Sequence, residues 1–258
     1  MPTLRATPGR GRSLMELMLI GLVLLLATAS GEILLAIAEN GNASMHTLVL
    51  QITLPAIGAT TILIAIAAMI GCGRISRAVL IGALFGAVST ASLELIRNIG
   101  FYEFNSMPGQ LPELMGMLIT NRIMEGPDLW SNIIGWADHV WNGATLGITY
   151  MLLVGGWPRG RSHWYGAGIG AAFGALIGTG FLLSPVSRAT GAGIFGSIFG
   201  IKYVITVYLA HLAIGATLGL LAHRFASRYE PIWMLLLRLL PRRVNATTTT
   251  GSPRAMGT

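Results

Sequence analysis

His139-Val-Trp-Asn-Gly-Ala-Thr-Leu-Gly147 and His211-Leu-Ala-Ile-Gly-Ala-Thr-Leu-Gly219 are near copies of one another, and each opens on a histidine inside an apolar run. A second correspondence precedes this one: Ile81-Gly-Ala-Leu-Phe-Gly-Ala87 matches Ile169-Gly-Ala-Ala-Phe-Gly-Ala175. Two different segments thus recur in the same order, the mark of a duplicated two-segment unit. The histidines matter because an unpaired polar group in hydrocarbon costs on the order of several kcal/mol, so each imidazole needs a partner.

The medium around these segments follows from composition. Of 258 residues, 53% are hydrophobic and only 10% charged, with a mean hydropathy of +0.67, too little polar surface to solvate a soluble domain. Six runs reach the roughly 20 residues that a helix needs to cross a bilayer. They are Leu14 to Ala38, His46 to Ile70, Ile75 to Ile99, Leu129 to Val154, Trp164 to Leu183 and Ile194 to Ala222. The runs are continuous and show no polar–apolar alternation, which favours helices over a barrel. The expected fold is an all-α integral membrane protein with about six transmembrane helices. Its core would be two tandem two-helix repeats, and since each repeat crosses twice the copies enter from the same side, giving a parallel pseudo-twofold four-helix bundle. Residues 1–13 read as a basic cytoplasmic N-terminus, 14–72 as two flanking helices, 73–158 as repeat 1 with a long outer loop at 100–128, and 159–224 as repeat 2. Residues 225–258 read as an interfacial helix, with Arg238, Arg242 and Arg243 suited to an anionic leaflet, followed by a disordered tail.

The net charge of +7 does not point to nucleic acid, because the basic residues fall between the apolar runs. Arg5, Arg10, Arg12, Arg74, Arg77, Arg159, Arg161 and those from Arg224 onward share one side, leaving Arg97, Arg122, Arg188 and Lys202 for the other. That bias places both termini in the cytoplasm, in a plasma membrane of bacterial type. Ala27-Thr28-Ala29 imitates a cleavage site, but hydrophobicity continues through Ile33 to Ile37 and an uncleaved anchor is expected. The single cysteine, Cys72, cannot form an internal disulfide.

Every core run carries a Gly-xxx-Gly pair: Gly82 and Gly86, Gly143 and Gly147, Gly170 and Gly174, Gly215 and Gly219. Small residues four apart share a helix face and let backbones approach, so these read as packing contacts. The same spacing puts His139 on the Gly143–Gly147 stripe, His211 on the Gly215–Gly219 stripe, and Glu94 on the Gly82–Gly86–Thr90 stripe with Arg97 three residues on. Repeat 1 is the more polar copy, having Glu94, Asp138 and Asn142 where repeat 2 has Leu182, Ala210 and Ile214. Glu94, Asp138, His139, Asn142 and His211 are therefore the candidate ion or substrate pathway. Six of the ten acidic residues lie between Glu94 and Asp138, a bias that suits a proton or cation. Within the 100–128 loop, Leu111 to Arg122 can form a short amphipathic or re-entrant helix that acts as a lid.

Three readings of the histidine pair stand side by side: hydrogen-bond glue between helices, with Asn142 or Tyr208 as partners; a proton or cation station; and a bis-histidine site for haem or another metal on the pseudo-axis. No cofactor is the leading expectation, and a haem or metal held by His139 and His211 is its rival. The chain has no hydrolase elbow, His-Glu-xx-His, dinucleotide fingerprint or phosphate loop, which weighs against an enzyme of a soluble type. The leading function is transport or permeation of a proton, cation or small solute. Its rivals are a membrane redox subunit and a non-catalytic subunit or assembly factor of a membrane complex; partners are the lipid bilayer and a homo-oligomer or larger complex.

Overall fold

A computed structural model describes residues 10–31 and 33–240; Arg5, Glu32 and the C-terminal stretch with Arg242, Arg243 and Thr247 to Thr250 lie outside the described residues. Of the described residues 77% are helical and none is in a strand, which sets the class as all-α. Helices α1 (Arg10–Ala29) and α2 (Ile33–Glu39) come first, then α3 (Met45–Leu48), a π-helical turn (Val49–Thr53) and α4 (Leu54–Met69). There follow α5 (Gly73–Tyr102), α6 (Leu111–Ile119), α7 (Leu129–Leu153), α8 (His163–Leu183), α9 (Pro185–Ala189), a 3-10 turn (Ile194–Gly196), α10 (Ile201–Phe225) and α11 (Ile232–Leu239).

Five of these segments are long and apolar enough to cross a membrane: Gly11–Ala29, Met45–Met69, Gly73–Tyr102, His163–Leu183 and Ile201–Phe225. The sequence reading counts six. The difference is α7, which has the length, 25 residues, but carries Asp138, His139 and Asn142 and falls short in hydropathy. Two expected runs also end elsewhere. The first breaks after Ala29, where the Ser30 hydroxyl donates to the Leu26 carbonyl and Trp141 Nε1 donates to the Ser30 carbonyl at 3.2 Å, and α2 restarts as a separate helix packed on α9. The last begins at Ile201 rather than Ile194, because Gly193, Gly196 and Gly200 all take positive φ and end helical pairing before it. Pro55 lies two residues after the π-helical turn, a common way to accommodate proline within a helix.

The elements pack around α5 and α10. Helix α7 lies along α5, α8 lies along α10, and α5 and α10 contact each other. At the α5–α7 seam a Cβ on Gly82 would come within 2.8 Å of the Gly147 carbonyl, and one on Gly86 would collide with the Gly143 carbonyl. Gly170 and Gly174 meet the carbonyls of Gly215 and His211 in the same way. These pairings run in opposite chain directions, so each seam is antiparallel. The short helix α6 packs on the start of α7, with Gly116 against Ser131 and Gly135 against Pro112, and buries Leu111, Met115 and Ile119.

Helix α7 starts with a reciprocal cap. The Ser131 amide donates to Asp128 Oδ1 at 2.7 Å and the Asp128 amide donates to the Ser131 hydroxyl at 2.9 Å. The Ser131 amide, helped by Arg122, holds the Asp128 carboxyl below the ordinary carboxylate value. A group with a lowered folded-state pKa stabilises above the unfolded value and loses that contribution as pH falls through the folded one. Asp128→Ala should therefore lower the thermal midpoint near pH 7, and the gap from wild type should narrow by about pH 3, as circular dichroism melts will read.

Candidate functional site

The glycine contacts set the register that builds the site. With Gly82 facing Gly147 and Gly86 facing Gly143, the next turns of the two helices bring Glu94 of α5 opposite His139 of α7. Glu94 Oε1 lies 2.8 Å from His139 Nε2 and 2.8 Å from Arg97 Nη1. The three residues are 7%, 4% and 8% exposed, so the cluster is shut off from solvent and lipid alike. A carboxylate can only accept, which puts a hydrogen on His139 Nε2. Burying an ion pair repays its desolvation only when geometry is good and the remaining groups are satisfied, and one carboxylate shared by a guanidinium and an imidazole meets that condition.

His211 approaches from α10. Its Nδ1 donates to the Val207 carbonyl at 2.8 Å, and its ring tilts against Phe181 at 5.5 Å. Gly178 of α8 makes room for it, since a Cβ there would stand 3.0 Å from the His211 Cβ. His139 and His211 line one small cavity of about 10 Å³, together with Arg97, Met107, Leu111 and Phe181. That is room for a single water. A haem does not fit, because the cavity between the rings is far below the size of a macrocycle. Among the described residues no group of three His, Cys, Asp or Glu side chains is placed to hold a metal ion.

Asp138 and Asn142 face another way. Asn142 Nδ2 donates to Asp138 Oδ2 at 3.0 Å, one turn apart on the α7 face that meets the α1–α2 break. Successive helical residues turn by about 100°, so Asp138 and His139 leave α7 in different directions. The five candidate residues thus fall into two groups: Glu94, His139 and His211 in the bundle interior, and Asp138 with Asn142 beside α1 and α2.

The guanidinium of Arg97 is part of the first group, although it is not among the five candidate residues read from the sequence. Its position three residues after Glu94, on one face, is the signal that points to the pair. The acids of the 100–128 segment do not join Glu94: Glu125 and Asp128 pair with Arg122 at 2.9 and 3.3 Å, and Glu103 is exposed. Tyr208, a candidate partner of His211, bonds the Thr179 hydroxyl at 2.9 Å instead. Lys202 is exposed, His46 Nδ1 donates to the Ile119 carbonyl and His223 Nε2 to the Arg161 carbonyl. At the other end of the bundle, buried Glu16 pairs with Arg74 at 3.0 Å and Arg12 at 3.7 Å, which explains how an acid is held within an apolar helix.

Comparison with known proteins gives no match, whether to a family model, a curated protein or a solved structure.

Proposed function

We propose that this multi-pass membrane protein carries a proton, alone or with a small solute, through the Glu94–His139–Arg97 cluster. The observation that carries the reading is the single carboxylate oxygen of Glu94 lying 2.8 Å from both the imidazole and the guanidinium inside the bundle. Ionisable groups at membrane depth are expensive, and a buried carboxylate–imidazole pair can pass a proton along its hydrogen bond without moving a helix. Arg97 offsets the Glu94 charge, which disfavours a metal cation there, whereas a proton needs only to change which partner of the Glu94–His139 pair holds it. Asp138 and Asn142 would form a second polar station on the side of α7 that meets the α1–α2 break.

Access would come from the 100–128 side. A vestibule of about 300 Å³ lies between the Pro108–Met117 segment and Ala189–Gly191, and Leu111 lines both it and the one-water cavity, so a shift of α6 would join the two. In this reading α7 crosses as a sixth helix, its His139 covered by α5 and its Asn142 by the α1–α2 break; spans three and four repeat as spans five and six; the Gly-xxx-Gly pairs are the packing surfaces of both copies; and the charge bias places the termini in the cytoplasm.

The test is proton flux into proteoliposomes under an imposed pH gradient, with a valinomycin-clamped potential. Wild type should acidify the lumen well above empty vesicles, and Glu94→Gln and His139→Ala should each cut that rate by about tenfold or more, the scale of losing a general acid–base partner. Equal rates in folded wild type and both variants would refute the reading.

A further inference from the structure

A groove of about 360 Å³ runs along the membrane-depth part of α7, walled by Ala27 and Ile33 on the α1–α2 side and by Leu176 and Ile177 on α8. Its volume lies within the range of small-molecule sites, roughly 300–1,000 Å³. Asn142 lines it, 6% exposed. The Nδ2 of Asn142 is committed to Asp138, which fixes the amide orientation and leaves Oδ1 toward Gly31, the next lining residue; that oxygen is buried and has no hydrogen-bond partner. A buried acceptor without a donor costs about 1–3 kcal/mol, so its persistence asks for a group that supplies one.

Three more hydroxyls of the groove offer acceptors. Thr145, Thr149 and Ser184 each donate their hydroxyl hydrogen to a carbonyl of their own helix, to Asn142, Thr145 and Phe181 respectively, each at 2.8 Å. Their lone pairs are what they offer a ligand. The strip is therefore mostly acceptors, with the exposed Thr28 hydroxyl able to donate as well as accept, and among the described lining residues none carries a charge. Charge complementarity excludes a phosphate or carboxylate headgroup, for which no cation is provided, and selects a neutral donor on an apolar body.

We propose that this groove is a binding site for a neutral lipid alcohol, entering sideways from the bilayer, its hydroxyl donating to Asn142 Oδ1 and its tail lying between α1–α2 and α8. The site goes beyond the proton reading and does not depend on it, since neither Glu94 nor His139 lines the groove.

The experiment is photolabelling of the full chain in nanodiscs with a diazirine-bearing long-chain alcohol and, separately, with its methyl ether, followed by peptide mapping. The alcohol should label peptides of α7 and α8, excess unlabelled hexadecanol should compete it away, and the ether should label them at least tenfold less. Asn142→Leu should bring alcohol labelling down to the ether level. If that variant fails to fold, Gly180→Leu provides the second test: nothing lies within 4 Å of a Cβ at Gly180, so the new side chain projects into the groove without touching Asn142 and should block labelling. Equal labelling by alcohol and ether, labelling spread evenly over lipid-facing helices, or unchanged labelling in Gly180→Leu would each overturn the assignment.

Discussion

Gly86→Ala should destabilise the protein by roughly 3 kcal/mol, the upper end of the overpacking range, whereas Gly168→Ala should be neutral or stabilising by about 0.5–1 kcal/mol. Both are glycines inside long apolar helices. A Cβ on Gly86 collides with the carbonyl of Gly143 and presses on the Gly147 amide at 2.8 Å, and neither is the movable end of a side chain, so α5 and α7 must separate. A Cβ on Gly168 meets nothing within 4 Å and only stiffens the unfolded chain. Separation would also pull Glu94 away from His139, so Gly86→Ala should lose proton flux along with stability. Gly215→Ala should behave likewise at the α8–α10 seam, where the Gly170 carbonyl stands in its way. Unfolding in mixed micelles by a graded denaturant reads all three. Equal midpoints for Gly86→Ala and Gly168→Ala would mean that the helices are not held at backbone contact.

Glu94→Ala should cost about 3–5 kcal/mol, because it leaves the Arg97 guanidinium buried without its counter-charge. The diagnostic variant is the double replacement Glu94→Leu with Arg97→Met. Removing both charges together spares the desolvation of each, so most of the stability should return while proton flux stays lost. If the pair were only structural, the double variant would recover flux along with the fold. If the double variant were as unstable as Glu94→Ala, the ion pair would not be what stabilises this part of α5.

Much of the architecture is legible from the chain because lipid imposes a simple rule. A long run without charge can cross, and a helix must satisfy its own backbone. Met45–Met69, Gly73–Tyr102 and His163–Leu183 lie within a few residues of the runs read from composition. The exceptions have local causes. The break after Ala29 is held by a hydrogen bond from Trp141, distant in sequence, and the Ser30-Gly31 turn signal beside it is hidden by the apolar residues on either side. The late start of α10 comes from three glycines in positive φ that hydropathy averages away.

The site was less legible, for a geometric reason. Spacing along one helix places Glu94 and Arg97 on one face, but which residue of α7 meets them depends on a register set by backbone contact at Gly82 and Gly86. Asp138 and His139 are neighbours in sequence and look like one constellation, yet they point to different partners. The partnerless oxygen of Asn142 has no signature in sequence at all, since it arises from where Gly31 happens to lie.

Infrared difference spectroscopy on the protein in lipid films, stepped through a pH range and compared with Glu94→Gln, bears most directly on whether Glu94 and His139 exchange a proton. The account predicts a carboxyl band that appears and vanishes with pH, is abolished in Glu94→Gln, and shifts when His139 is replaced by Gln. A spectrum with no pH-dependent carboxyl band assignable to Glu94, in a protein that still moves protons, would contradict it.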